Sequence, residues 1–160
     1  EEQKKEDSQA TLTTVLFDDE YEILHDRVNL KEVELISADD YYTRGMTALL
    51  DAIGKTIQNI NRQISKLNGK NKPGKVIFVI TTDGYENASR EFSIEKINKL
   101  IKKQKSENWE FIFFGANIDT FKTAQNMGIN HSFDYEASKK GILKRDEMLC
   151  DMVSEYRKIK

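Results

Sequence analysis

The sequence contains one cysteine and one proline, and each scarcity excludes a class of protein. A single thiol, Cys150, provides neither an internal disulfide nor a thiolate metal site. We therefore expect Cys150 to be a small core residue, and the protein to belong to a reducing compartment, the cytoplasm. The proline, Pro73, lies in the loop NGKNKPGK, and no proline-rich linker divides the 160 residues. We therefore expect a single domain over residues 1–160.

Long apolar runs and an excess of one charge are also missing. No run of residues is long enough to cross a bilayer, and 25 basic against 27 acidic residues leave a formal net charge of -2. The lysine-rich stretches at residues 102–105 and 139–140 are typical of solvated helix faces. We thus expect no nucleic-acid or membrane partner, and a function that depends on a local site.

The motifs of several enzyme classes do not occur. No GxGxxG follows a predicted strand, no GxSxG is present, and His25 and His131 have no second ligand at metal-binding spacing. GKNKPGK imitates a P-loop, but Val76 stands where serine or threonine is required, and the stretch precedes a strand. These absences predict a protein that is not an enzyme.

The pattern of apolar residues predicts an α/β fold. A hairpin is predicted from the stretches ATLTTVLF and YEILHDRVNL. Three further strands are predicted from VIFVI, WEFIFFGAN and residues 131–135. Apolar spacing predicts a long helix from Thr47, a helix capped by Ser93, a short helix over residues 119–126 and a last helix capped by Ser138. The last helix is expected to bury Met148, Leu149, Met152, Val153 and Tyr156. Strands that alternate with helices indicate a parallel sheet between helices.

Two polar residues lie at expected edges of these elements. Asp83 follows the buried strand in KVIFVITTDGYENAS, and ligands of parallel sheets bind beyond the carboxyl ends of the strands. The alternative is a turn aspartate that caps its own backbone. Thr47 begins the long helix, where the alternative role of its hydroxyl is an N-cap. Glu86 and Asn87 are candidates for the rim of the same site or for turn and capping roles.

GMTALLDA and TTDGYEN together resemble the von Willebrand factor A domain family. TLTTVLFDDEYEILHD is similar to its second and third strands, and FIFFGANIDT to its fifth strand and the following turn. The resemblance implies a three-layer α/β/α Rossmann-like fold, with a mostly parallel sheet and one antiparallel edge strand.

The resemblance also implies a metal-ion-dependent adhesion site. Thr47 would be the ligand from the second loop and Asp83 the ligand from the third, around Mg²⁺ or, in its place, Mn²⁺ or Ca²⁺. A carboxylate on a protein partner would complete the coordination. The resemblance thus implies a non-catalytic protein-binding module.

The first loop of that site, DxSxS, does not occur in the sequence, and neither does the family's first, central strand. We therefore expect an N-terminally incomplete domain with a gap in its sheet. Upstream sequence, a strand from another molecule in a homo-oligomer or strand exchange, or direct closure of the two halves would fill that gap.

An alternative from another class is a phospho-receiver or phosphotransfer domain that uses Asp83. Such a domain needs further acidic residues at its first strand end and a lysine at a later one. FFGANIDT, at the end of a later strand, contains no lysine.

Overall fold

The computed structural model describes residues 2–34 and 45–158, which form a mixed α/β fold. The strands are β1 (Thr11–Phe17), β2 (Tyr21–Asn29), β3 (Val76–Thr82), β4 (Trp109–Gly115) and β5 (His131–Asp134). The helices are α1 (Leu49–Ser65), α2 (Ile94–Ser106), α3 (Thr120–Met127) and α4 (Lys139–Lys158). Short 3₁₀ turns occupy Glu2–Lys5, Leu30–Glu32 and Gly69–Asn71. No helix among these residues has an apolar stretch that could cross a membrane.

The predicted helices and strands are confirmed, and the start of the long helix shows the clearest shift. Ser93 caps α2, since its hydroxyl accepts a hydrogen bond from the Lys96 N–H at 3.3 Å. The long helix was predicted from Thr47 but begins at Leu49, and its N-cap, Ala48, makes no side-chain capping bond. Glu86 and Ser89 instead accept the hydrogen bonds of the Leu50 and Asp51 N–H groups. The helix start is therefore set by a distant loop.

The five strands form two separate sheets. β1 and β2 are an antiparallel pair, and β3, β4 and β5 are a parallel sheet in that order. Within the described residues β1 pairs only with β2, and β3 only with β4. The described strands therefore show no direct pairing between β1 and β3, which would have closed the gap between the two halves.

The main core lies between one face of the parallel sheet and helices α1 to α3. Alternate residues of β3 and β4 point into it, and the Phe78 and Phe111 rings lie 5.3 Å apart. Burial of each such ring stabilises the fold by about 1.5–3 kcal/mol. The buried members of this cluster are Leu49, Ile53, Ile57, Phe78, Ile80, Ile97, Ile101, Trp109, Phe111, Phe113, Ala124, Met127 and Ile129.

Helix α4 lies on the opposite face of the sheet. Its Tyr156 is close to Glu110, and Glu110 alternates along β4 with the core residues Trp109 and Phe111. The Arg157 guanidinium donates hydrogen bonds to the carbonyl oxygens of Gln3 and Ser8, each at 2.7 Å. These bonds hold the first 3₁₀ turn against the end of α4.

The burial predicted for α4 is wrong. None of its described residues is buried, and Met148, Leu149, Met152, Val153 and Tyr156 are half-buried. Cys150 was predicted to be a core residue and is also half-buried, with its carbonyl oxygen accepting a hydrogen bond from Gln3 Nε2 at 2.9 Å. The apolar stripe exists, but the described residues cover it only in part.

Candidate functional site

The carboxyl ends of β1 and β3 meet on either side of Thr47 and Ala48. The Ala48 N–H donates to the carbonyl oxygen of Asp18, just past β1, at 2.7 Å. The carbonyl oxygen of Thr47 accepts a hydrogen bond from the Asn87 N–H, in the loop after β3, at 3.0 Å. The carboxyl ends of the two strands therefore lie at one rim, on which the predicted site residues also lie.

Asp83 is exposed at this rim, and its carboxylate makes no hydrogen bond or ion pair with any described residue. The turn that follows β3 is closed by Thr82, whose hydroxyl donates to the carbonyl oxygen of Gly84 at 3.0 Å and accepts from the Gly84 N–H at 3.4 Å. Thr82 thus has the turn-capping role that was the alternative for Asp83. The carboxylate of Asp83 is left available to a ligand.

The hydroxyl of Thr47 lies against the loop that carries Asp83. A Cβ atom at Gly84 would be 3.2 Å from Thr47 Oγ1, so only glycine lets the two segments approach this closely without displacement. The Thr47 hydroxyl has no hydrogen-bond partner among the described residues and does not cap α1. The two predicted metal ligands are therefore on adjacent segments.

Glu86 and Asn87 have the capping roles that were the alternative to a place at the rim. One carboxylate oxygen of Glu86 accepts from the Ala88 and Ser89 N–H groups at 3.0 and 2.7 Å. The other accepts from the Leu50 N–H at 2.9 Å. Asn87 Oδ1 accepts from the Thr47 N–H at 2.8 Å. These bonds fasten the loop after β3 to the start of α1.

Asp51 also holds the loop after β3 against α1, a role that the sequence did not reveal. Its buried carboxylate accepts hydrogen bonds from the N–H groups of Arg90, Glu91 and Phe92, each at 2.9 Å. Burial opposes ionisation, but those three backbone donors and the Lys55 charge together lower the pKa of Asp51 below its ordinary value. The signal in the sequence was a carboxylate on the otherwise apolar face of α1. Its partners, about forty positions away, left no local signal.

Large apolar side chains are exposed on both sides of the candidate ligands. Met46 is 43% exposed beside Thr47, and Tyr85 is 58% exposed beside Gly84. The Tyr85 hydroxyl accepts a hydrogen bond from the Asp119 N–H at 3.0 Å, and Phe121, two positions further on, is 69% exposed. Exposed aromatic and methionine side chains of this kind are typical of protein-binding surfaces.

The donor set for a cation is small. No group of three or more histidine, cysteine, aspartate or glutamate side chains that could hold a metal occurs within residues 2–34 and 45–158. Thr47 and Asp83 provide a hydroxyl and a carboxylate oxygen, which are the donors that hard cations prefer. Because Mg²⁺ keeps several of its waters, two protein oxygens fit a weak site.

Comparison of the chain with protein-family models, with curated proteins and with solved structures gives no match. The likeness to von Willebrand factor A domains therefore stays a prediction that rests on the motifs around Thr47 and Asp83.

Proposed function

We propose that this chain is a non-catalytic protein-binding module of the von Willebrand factor A type. In this proposal its helices and strands belong to a three-layer α/β/α arrangement, and the rim beyond β3 is the binding surface. Thr47 and Asp83 hold a divalent cation, Mg²⁺ or a similar hard ion, which binds an acidic group of a protein partner.

The observation that carries the proposal is the pairing of an available carboxylate with an available hydroxyl. Asp83 and Thr47 come from segments 36 positions apart, lie on adjacent loops, and use neither side chain to stabilise those loops. Glu86, Asn87 and Asp51 provide that stabilisation instead. The loops that carry the two donor side chains are thus held in place by other residues, which favours a preformed binding site.

The surroundings of the two donors favour a protein as the partner. Met46, Tyr85 and Phe121 provide exposed apolar area next to them, which a small anionic ligand would not use. The cation supplies the charge that attracts a carboxylate to a rim where Asp83 is itself negative. The apolar side chains then contribute contact area around that ion.

The phospho-receiver alternative has less support from the geometry. β4 is followed by Ala116 and Asn117, so no lysine lies at the strand end where such a domain needs one. Beryllium fluoride, which mimics an acyl phosphate, should leave the amide NMR signals of residues 82–85 unchanged. A saturable change in those signals would favour the phospho-receiver.

The metal site is tested by titrating the full chain with Mn²⁺ and following the amide signals by NMR. We expect weak binding, with Kd on the order of 10⁻⁴–10⁻³ M, and selective broadening of the amide signals of residues 46–48 and 83–85. Asp83→Asn should weaken binding at least tenfold, because it removes the one charged donor and keeps the shape of the side chain. Thr47→Val should weaken it less.

Asp134→Asn is the matched control. Asp134 ends β5 at the same edge of the sheet, two strands from β3, and is also exposed. This variant should bind Mn²⁺ as the parent does. Equal Mn²⁺ affinity in Asp83→Asn and the parent, or broadening centred on Asp134, would contradict the proposed site.

A further inference from the structure

Two basic stretches of the chain lie at one edge of the molecule. Residues 61–75 contain one arginine, four lysines and no acidic residue, and residues 101–108 contain three lysines and one acid, Glu107. The first stretch covers the end of α1 and the loop before β3, and the second covers the end of α2 and the turn before β4. Both therefore lead to the amino ends of parallel strands. We call these two stretches the basic edge.

Direct contacts hold the two stretches of the basic edge together. Asn108 Nδ2 donates a hydrogen bond to the carbonyl oxygen of Gly74, and the Val76 N–H donates to the carbonyl oxygen of Asn108 at 3.5 Å. Val76 is also the register partner of Trp109, so the two stretches run side by side into paired strands. The fold thus combines two groups of bases that 25 residues separate in the sequence.

Most bases of the basic edge have no partner among the described residues. Lys75 Nζ lies over the Tyr156 ring, 5.4 Å from its centroid, and Lys105 Nζ donates to the carbonyl oxygen of Gly128 at 2.8 Å. The other six side chains are exposed and make no hydrogen bond or ion pair with any described residue. They are Arg62, Lys66, Lys70, Lys72, Lys102 and Lys103.

Helix ends explain only part of this charge. Bases in the last turn of a helix interact favourably with its dipole, which accounts for Arg62 in α1 and Lys103 in α2. Lys70 and Lys72 lie beyond the end of α1, and neither makes an ion pair with the part of the chain that the structure describes. Because like charges repel, an anionic partner would relieve the repulsion between the two stretches.

The charge of the rest of the molecule restricts the size of that anion. The chain has a formal net charge of -2, so the surface outside the basic edge is on balance acidic. The rim beyond the carboxyl ends of the strands carries the exposed acids Asp83, Asp119 and Asp134. The seven residues of β3 separate this rim from the basic edge by about 23 Å, which is more than two Debye lengths at physiological salt. The basic edge therefore keeps its positive potential, and a long polyanion that extended past it would meet acidic surface.

The composition of the basic edge favours carboxylates over nucleic acid. Its two stretches contain no aromatic residue on which a base could stack, and five of its six exposed bases are lysine. Arginine has the planar fork that matches phosphate groups, whereas the ammonium group of lysine is a point charge that pairs equally well with a carboxylate.

We propose that the basic edge binds a short acidic segment of a partner protein, which lies along the contact between Gly74 and Asn108. Carboxylates at alternate positions of an extended segment are about 7 Å apart on one face, so a segment of about eight residues presents four of them to the bases of both stretches. This surface is separate from the rim that carries Thr47 and Asp83, and it needs no cation.

The test is an amide NMR titration of the full chain, in EDTA at low salt, with a peptide of alternating glutamate and serine that has four glutamates. We expect saturable binding with Kd on the order of 10⁻⁴–10⁻³ M, and signal shifts in both residues 66–75 and residues 102–108. Salt at about 0.3 M should weaken binding at least fivefold, because exposed charges are screened. The same peptide with glutamine in place of glutamate should not bind. Because EDTA is present, failure here and failure of the cation site are separate results.

Charge reversal in each stretch tests whether the two stretches act as one site. Lys70→Glu together with Lys72→Glu should weaken binding at least fivefold, and so should Lys102→Glu together with Lys103→Glu in a second variant. All four side chains are exposed, so we expect both variants to fold, and circular dichroism checks this.

Lys139→Glu together with Lys140→Glu is the matched control. Both lysines are exposed at the start of α4, which follows the carboxyl end of β5, and the change in net charge is the same. This variant should bind the peptide within twofold of the parent. An equal loss of affinity in the control would show that net charge, and not the basic edge, attracts the peptide.

Other outcomes would also overturn the inference. No saturable binding at low salt would show that the basic edge accepts no acidic segment, and an effect of only one lysine pair would show that the stretches do not form one site. Tighter binding of a single-stranded oligonucleotide with four phosphates would identify nucleic acid as the occupant. Self-association of the chain at low salt that Lys70→Glu with Lys72→Glu abolishes would identify a second copy.

Discussion

At the scale of single residues, Gln104 is a fully buried side chain whose polar atoms have no compensating hydrogen bond among the described residues. It belongs to α2, and the atoms concerned are its Oε1 and Nε2. A buried amide without partners costs about 1–3 kcal/mol. This position therefore reduces the stability of the core that supports the rim.

We expect Gln104→Met to raise the free energy of unfolding by about 1–3 kcal/mol, because methionine fills a similar volume without polar atoms. In a chain of this size that gain corresponds to an increase in Tm of roughly 2–4 °C per kcal/mol. Thermal unfolding followed by circular dichroism measures it. Gln58→Met, on the exposed side of α1, is the control and should stay within about 0.5 kcal/mol of the parent. A Tm for Gln104→Met at or below that of the parent would contradict the expectation.

Gly54 is a glycine that packing requires in the middle of α1. A Cβ atom there would lie 2.6 Å from Cγ of Phe92, whose backbone N–H is held by Asp51. Gly54→Ala should therefore destabilise the protein by about 1–3 kcal/mol through overpacking, against a helix-propensity gain of about 1 kcal/mol. Urea unfolding measures the net change. In a chain that also carries Phe92→Leu, Gly54→Ala should lower the free energy of unfolding by less. A net gain of about 1 kcal/mol in the single variant would show that Phe92 moves away freely.

The residues of the candidate site differ in how far sequence reveals them. Asp83 and Thr47 were identified because strand ends and helix starts produce local patterns. The capping role of Glu86 was one of two alternatives, and the role of Asp51 was not foreseen, because its partners are backbone groups of a segment far along the chain. Periodicity gives the side chain that faces inward, but not which distant N–H group it meets.

At the scale of elements, the loop of residues 84–92 and the first turn of α1 stabilise each other. Asp51 is the central contact, since it is buried, accepts three backbone hydrogen bonds and has a lowered pKa. A folded pKa below the unfolded value of about 3.9 means that the stabilising effect is present above that pH and is lost as pH falls through the folded pKa. The contact between Asp51 and the loop of residues 84–92 is therefore expected to weaken in acid.

Asp51→Asn should lower the free energy of unfolding by about 2–4 kcal/mol at pH 7, because three buried donors lose a charged acceptor. The difference from the parent should shrink below about pH 4, where Asp51 of the unfolded parent begins to take up a proton, and further as pH falls through the lower folded pKa. Urea unfolding between pH 3 and pH 7 measures both effects. Asp151→Asn, on the exposed side of α4, is the control. A difference that does not change with pH would show that the Asp51 charge is not what stabilises the loop.

The elements themselves were largely predictable, and their burial was not. Strong local signals placed β1, β3, β4 and the Ser93 cap of α2 correctly. The start of α1 was misplaced because its capping groups, Glu86 and Ser89, belong to another segment. The apolar stripe of α4 gave the correct face but not its exposure, since the pattern of one helix does not state what lies opposite it.

At the scale of the whole molecule, side-chain hydrogen bonds between β2 and α1 join the hairpin to the remainder. Tyr21 and Thr56 share a hydrogen bond of 3.0 Å between their hydroxyls, and Gln63 Nε2 donates to Asp26 Oδ1 at 2.7 Å. Both contacts link β2 to α1. Together with the bond from the Ala48 N–H to the Asp18 carbonyl oxygen, they hold the two sheets together through α1 and the segment before it.

Within residues 2–34 and 45–158, each sheet pairing connects strands that follow one another in the chain: Thr11 pairs with Asn29, Val76 with Trp109, and Ile112 with His131. β1 and β2 are joined by residues 18–20, whereas β3 and β4 are joined by residues 83–108, which include α2. Loop closure is therefore less costly for the hairpin than for the parallel sheet, and parallel pairing is intrinsically slow. We thus expect formation of the parallel sheet, and not of the hairpin, to limit the folding rate of the chain.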